Sequence, residues 1–317
     1  MNQTLKPLRV PKVIRAALRL YRDNYKAYLK VAFIANLWSL LPLFILLLII
    51  AVLTILFTTL VANNSSDFGL WLLGVLPLII IGWLILVIYC SSKFFTNAAL
   101  LSRLTFSQLT NQPETVQEGR RNITKLWKFF WLQFMVNLII SVFNIGLSIA
   151  QWLVFDLPAS KIQGIIGFIL TITGNVCYFV AYLWIYVRFF IPEVPFVIEP
   201  EKDIFQAITR SWKLSQGFSW QIILIVIASF FITLPLYVFS AIPIVIALIS
   251  VAPLLQQSTV SPAILIGLWT SISGAIVSSV LIFSFLNIAA LPFWQVIKGI
   301  IYYDLCFQKN LTINSNQ

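Results

Sequence analysis

The sequence predicts an all-α integral membrane protein: six transmembrane helices as three hairpins, amphipathic interfacial helices leading into the spans, and both termini inside the cell. Three observations predict it. The 317 residues are 60% hydrophobic and only 10% charged, against about 25% charged in an ordinary soluble domain. The uncharged runs are long enough to cross hydrocarbon, which takes about 20 apolar residues. The cations between those runs fall almost entirely on one side.

Residues 1–30 come first, as a basic amphipathic interfacial helix. Within Val10–Lys30, the residues Val10, Val13, Ile14, Ala17, Leu18, Tyr21, Tyr25 and Tyr28 recur with helical spacing and form one stripe. Lys12, Arg15, Arg19, Arg22 and Lys26 occupy much of the remainder. Such a helix lies in the interface, its apolar face in the acyl boundary and its cations toward lipid phosphates. Residues 31–317 follow as a six-span membrane domain, with hairpins at about 31–92, 129–187 and 218–297. Val31–Ala62, Phe68–Ser92, Phe129–Phe155 and Ile162–Val187 carry no charge. Leu214–Ile297 is also uncharged and too long for one helix; the proline-bracketed Ala252–Pro262 divides it in two. The first apolar run is too long for a signal-peptide core and no A-x-A-like cleavage site follows it, so it reads as a retained span.

Placing the cations sets the orientation. Eight lie in residues 1–30; six lie between spans two and three (Lys93, Arg103, Arg120, Arg121, Lys125, Lys128). Arg188, Lys202, Arg210 and Lys213 lie between spans four and five, and Lys298 and Lys309 in the tail. Of 21 basic residues, only Lys161 falls on the opposite side. The positive-inside rule then puts the termini and the two long loops in the cytoplasm. The turns near 63–67, 156–161 and 256–261 lie outside. The net charge of +11 is thereby explained without nucleic acid.

Several function classes are disfavoured. Histidine is absent, which removes the usual general base and the commonest metal ligand. No phosphate-binding glycine loop, dinucleotide fingerprint or nucleophile elbow occurs. Cys90, Cys177 and Cys306 are far apart and read as buried small hydrophobes rather than a disulfide or metal set. Neither a cofactor nor a metal is expected, and the chain is expected not to be an enzyme.

A short motif recurs before the apolar runs: RLYR (Arg19–Arg22), KLWK (Lys125–Lys128) and RSWK (Arg210–Lys213). Further matches support an internal repeat: Leu41-Pro42-Leu43 with Leu234-Pro235-Leu236, and Lys93-Phe94-Phe95 with Arg188-Phe189-Phe190. The candidate lipid-interface residues are Arg15, Arg19, Tyr21 and Arg22, then Lys125, Trp127 and Lys128, then Arg210, Trp212 and Lys213. Tyrosine and tryptophan suit that depth because an apolar body carries one polar edge. The plainer reading is a set of topogenic charges flanking the spans. Pro42, Pro77, Pro235 and Pro243 lie within spans, as do Asn137, Asn144, Asn175 and Asn287. The asparagines read either as bonds between helices or as the lining of a path. Glu193, Glu199, Glu201 and Asp203 cluster in a stretch whose prolines, Pro192, Pro195 and Pro200, are expected to prevent a regular helix. That cluster reads as a rigid turn, or else as an acidic site for a cation or a basic partner.

The stretch PFVIEPEKDIFQAITRSWKLSQGFSWQIILIVI (Pro195–Ile227) resembles the bacterial membrane domain attached to some glycerophosphodiester phosphodiesterases, and related stand-alone membrane proteins. There, a proline-rich exit and a Glu precede an A-x-x-R-S-W-x-L-x-x-G helix. Glu199, Ala207, Arg210, Ser211, Trp212, Leu214 and Gly217 match it here. In the tail, Tyr302, Tyr303, Asp304 and Leu305 match a Y-Y-D-L-R-x-R-K ending, with Cys306 where a basic residue is usual. The resemblance implies a helical, multi-pass protein of a bacterial inner or internal membrane. It does not imply phosphodiesterase activity: the soluble catalytic domain is expected to be absent, and no histidine is present for its acid–base chemistry.

The function expected is therefore non-enzymatic: a membrane-organising or accessory protein contacting anionic lipid headgroups or a protein partner, and not nucleic acid. The alternative is a transporter or channel for a small neutral or lipid-like solute. An enzyme acting on lipid would have only Tyr302, Asp304 and Glu199 as candidates. The orientation is directly testable. In intact cells, a Gln257→Cys variant should react with an impermeant maleimide added outside; labelling only after permeabilisation would reverse the topology.

Overall fold

The structure, a computed structural model, describes residues 10–62, 68–123, 126–162, 164–199, 201, 203–255 and 262–314. Among them every regular element is helical, and six helices are long and apolar enough to cross a membrane. An α-helix bonds its own peptide groups, which is why hydrocarbon tolerates it. In order, the elements are α1 (Val10–Asp23), α2 (Tyr25–Ala62), α3 (Phe68–Leu109), α4 (Val116–Arg121) and α5 (Leu126–Gln151). A π-helical turn (Trp152–Asp156) leads into α6 (Leu157–Lys161) and α7 (Ile165–Arg188). Then come α8 (Glu193–Ile198), α9 (Ile204–Ser215), α10 (Ser219–Leu255) and α11 (Pro262–Asn314).

Two boundaries differ from the sequence reading. The stripe from Val10 to Lys30 is not one helix. It stops at Asp23, and the Asn24 carbonyl accepts from Tyr28 N at 3.1 Å to begin α2; asparagine is a favoured helix-starting residue. Tyr25–Lys30 thus belong to the first long helix. The proline-rich stretch, expected to be irregular, contains the short helix α8. Pro195 sits in its first turn, where a backbone N–H has no partner within the helix to lose. The long helices also overrun their apolar runs: α3 continues from Ser92 to Leu109 and α11 from Ile297 to Asn314.

The chain clusters into two compact units. One comprises Asn24–Ala98 and Ser229–Trp294. Several of its polar groups pair within the unit. Asn287 Nδ2 donates to Asn36 Oδ1 at 3.1 Å, and Asn36 Nδ2 donates to its own helix at Ala32 O, 2.9 Å. Trp83 Nε1 donates to Pro42 O at 3.1 Å. The Trp38 and Tyr89 rings meet edge to face, with the Lys93 ammonium over both. Large aliphatic side chains such as Leu48, Leu78 and Ile249 are exposed, the inverse of a soluble surface built to hide them.

The other unit comprises Met1–Asp23, Ala99–Ala228 and Gln295–Gln317. Its core gathers Leu100, Leu101 and Leu104 of α3, Val187 to Val197 around α8, and Ile297, Ile301 and Leu305 of α11. The Phe129 and Phe196 rings meet edge to face at 4.9 Å. α4 is held by a capping box: Glu118 N donates to Thr115 Oγ1 at 3.3 Å, and Thr115 N to Glu118 Oε2 at 2.7 Å. These Thr115 donors hold the Glu118 carboxyl below its usual range. Within the pair α5 and α7, the Tyr178 hydroxyl donates to Asn144 and Gln151 Nε2 to Asn175 Oδ1.

Two glycines permit the close turn between them. A Cβ at Gly174 would fall 2.6 Å from Phe155 Cβ, and one at Gly167 would fall 2.2 Å from the Ile162 carbonyl oxygen. The second obstacle is backbone, which cannot rotate away. Gly167→Ala should therefore destabilise the protein by about 1–3 kcal/mol, read as a fall in the unfolding temperature in detergent. The exposed Gly146→Ala, with open space around it, should not lower that temperature.

Candidate functional site

In the unit built around α8, the helix ends carry a set of polar side chains that are buried or half-buried and paired through the fold. Arg103, near the end of α3, forks onto Glu114: Nε to Oε2 at 2.8 Å and Nη2 to Oε1 at 2.7 Å. Its Nη1 donates to Val197 O at 3.0 Å, tying α3 to α8. A planar guanidinium meets a carboxylate in this two-point manner; an ammonium cannot. Lys298 of α11 donates to Glu193 Oε1 at 2.7 Å and lies over the Phe190 ring, 5.0 Å from its centre. Ser102 Oγ donates to Gln295 Oε1 at 2.5 Å, joining α3 to α11. Beside it, Gly299 lets α11 approach α3; a Cβ there would stand 3.1 Å from Ser102 O and from Thr105.

The residues of the family resemblance are brought together in part. The Tyr302 hydroxyl donates to Glu199, and Arg210 Nε stands 3.7 Å from Glu199 Oε1. Ser211 and Trp212 go elsewhere. Ser211 Oγ donates to Arg188 O at 2.9 Å, while the Trp212 ring lies 4.9 Å from the Arg188 guanidinium carbon. Gly217 has φ +90°, a left-handed conformation in the turn from α9 to α10 that glycine adopts without strain. Ala207, Leu214 and Leu305 are fully buried, Asp304 is buried and Tyr303 half-exposed.

Glu193, Glu199, Glu201 and Asp203 do not form one site. Glu193 serves Lys298, Glu199 serves Tyr302 and Arg210, and Asp203 lies 3.6 Å from Lys128 at the start of α9. Glu201 is exposed.

The three basic-aromatic motifs meet three different surroundings. In the first, Arg15, Arg19 and Arg22 are exposed and Tyr21 half-buried; burial raises the Tyr21 phenol above its usual range. In the second, Trp127 and Lys128 are exposed, and Lys125 lies outside the described residues. In the third, Arg210 and Trp212 are half-buried and Lys213 is exposed. The asparagines of the spans are also divided. Asn144, Asn175 and Asn287 bond across to other helices, which is the bonding role; Asn137 is exposed.

Sequence reasoning missed Arg103 with Glu114, Glu193 with Lys298, and the setting of Arg188. The Glu193–Lys298 pair spans 105 positions, so no local pattern announces it. Arg188 carried one signal: it is the first charge after an uncharged run of 26 residues, Ile162–Val187. Among the described residues no group of His, Cys, Asp and Glu is placed to hold a metal ion. No protein-family model, curated protein or solved structure matches the chain. The fold and these pairings define a class no narrower than a helical protein with six membrane-length helices.

The Glu193–Lys298 pair allows a sharp test. Lys298→Met leaves a buried carboxylate alone and should cost about 3–5 kcal/mol. Adding Glu193→Leu should recover much of that loss. Thermal unfolding of the two variants in detergent checks it; equal losses would mean that the pair is not coupled.

Proposed function

We propose that this is a non-enzymatic, multi-pass membrane protein that organises its surroundings through a fixed cationic surface on its cytoplasmic side. The six spans form three hairpins with both termini in the cytoplasm, and the setting is a bacterial inner or internal membrane, as the resemblance to the phosphodiesterase-associated membrane domain implies. The single observation that carries this reading is the arrangement of α1. Val13 and Ala17 are buried against the protein, while Lys12, Arg15, Arg19 and Arg22 are exposed. The helix is thus fastened to its unit by its own apolar residues rather than by sinking into lipid. Its cations stand outward on a rigid base, beside a membrane face that anionic headgroups make negative.

Each cation near an anionic leaflet contributes about 1 kcal/mol, so a set of them selects lipid without a pocket. The exposed Trp127 on α5 and Lys213 on α9 add an interfacial aromatic and a further charge. A negatively charged protein partner would meet the same surface by the same physics.

The reading is tested in vesicles of equal phosphatidylglycerol and phosphatidylcholine. Patches excised with a styrene–maleic acid copolymer should carry several-fold more of the anionic lipid around the protein than the starting mixture. The triple variant Arg15→Gln, Arg19→Gln, Arg22→Gln should lose most of that enrichment. A wild-type shell at the bulk ratio would overturn the proposal.

A further inference from the structure

We propose that the unit containing α7 binds one phospholipid molecule, with the lipid phosphodiester on Arg188 and one acyl chain in the groove along α7. The inference rests on the reading of this surface as lipid-facing, but not on any preference of α1 for anionic headgroups.

Among the described cations of its unit that are buried or half-buried, Arg188 is the odd one. Arg103, Lys298 and Arg210 each have a carboxylate within 3.7 Å. Arg188 is 8% exposed and has none among the described residues. Its guanidinium carbon lies 4.8 Å from the centre of the Trp184 ring and 4.9 Å from that of Trp212, the two indoles standing at 84° to one another. The rings supply cation–π attraction, but they accept none of its in-plane hydrogens. Nη1 reaches Trp212 O only at 3.4 Å, beyond the usual hydrogen-bond range. Nε is buried with no partner. A buried, permanently charged group with no carboxylate beside it and an unspent Nε donor calls for an anion.

The groove identifies which anion. An open surface groove of about 560 Å³, walled almost wholly by apolar atoms, is lined by Val176, Cys177, Val180, Ala181, Trp184 and Trp220. Trp184 therefore belongs to both features: one wall of the groove and one ring beside the guanidinium. Residues 177, 181, 184 and 188 follow one another by three or four positions, so they share one face of α7. The rise from Cys177 to Arg188 is about 16 Å at 1.5 Å per residue. That is close to the depth of one leaflet, half of a hydrocarbon core about 30 Å thick. An apolar track of leaflet depth that ends at an unpaired guanidinium beside two tryptophans matches a phospholipid: chain, then phosphate, at the level where indoles settle. Free phosphate would leave the track empty, and a hydrophobic peptide would leave the guanidinium unpaired.

Because phosphatidylglycerol and phosphatidylcholine carry the same phosphodiester, the site should accept zwitterionic and anionic lipids alike. The test is native mass spectrometry of the full-length protein released from vesicles of either dioleoyl phosphatidylglycerol or dioleoyl phosphatidylcholine. One retained phospholipid per chain is expected from both. Arg188→Gln should lower the retained fraction about tenfold, the loss of a charge-assisted contact. Val180→Trp, which fills the groove from an exposed position and leaves Arg188 in place, should lower it comparably. If Arg188→Gln fails to fold, Val180→Trp decides alone. A wild-type protein that retains no phospholipid would overturn the proposal. Unchanged retention in folded variants would do the same, as would loss in Arg188→Gln with full retention in Val180→Trp, or a bound peptide in place of lipid. Both variants should keep the anionic shell measured for the α1 arginines, so a failure here is distinct from a failure of the proposed function.

Discussion

A peptide group or a charge placed in hydrocarbon finds no water to bond with, and the rest of this structure follows from that. Six stretches answer it by bonding their own backbones in helices of membrane length. Hydroxyl side chains within them answer it locally. Thr54 donates to Ile50 O at 2.8 Å, Ser92 to Ile88 O at 2.8 Å and Thr233 to Ser229 O at 3.1 Å, each one turn back along its own helix. Some amides, whose donors and acceptors exceed what one helix can absorb, bond across helices as well as within their own, as Asn36 does with Asn287 and with Ala32 O. These cross-helix bonds each contribute only about 1 kcal/mol, but they set which faces meet.

Charge obeys the same constraint, with a stricter outcome. Where α3, α7 and α11 run past their apolar segments, cations enter the core around α8 and acquire specific partners. Arg103 takes a two-point carboxylate and Lys298 a single carboxylate with an aromatic ring beside it. Pairing is what makes their burial tolerable, since a single buried ion costs several kcal/mol. The α1 arginines avoid that cost by staying exposed. Among the described residues Arg188 alone joins burial to the lack of a carboxylate, and for that reason it reads as part of a site rather than as a strut.

The family-like motif acquires a physical meaning from the same packing. Glu199, Arg210 and Tyr302 converge, Ser211 and Trp212 bind the end of α7, and Gly217 turns the chain back at a φ that other residues avoid. Read as a string, Arg210, Trp212 and Lys213 look like a copy of the motif at Arg19–Arg22. In the fold they differ: Trp212 flanks a buried guanidinium, whereas Trp127 of the second copy is exposed. A repeated motif marks a repeated position relative to an apolar run, not a repeated set of contacts.

The amino-acid sequence determined the class of this protein by itself. Uncharged runs of more than 20 residues have one solvent in which they are stable, and α2, α3, α5, α7, α10 and α11 fall where those runs lie. The break at Asn24 and the helix around Pro195 were not legible, because both depend on hydrogen bonds and neighbours that a hydrophobic stripe or a proline count does not encode. Only the tertiary structure decided which charges are joined. Arg103 finds Glu114 across a turn, but Glu193 finds Lys298 across 105 positions, and Arg188 finds two tryptophans and, among the described residues, no acid. Solvent preference is a property that each residue carries with it and that sums along a segment; pairing is a property of distance in space, which exists only once the helices have packed.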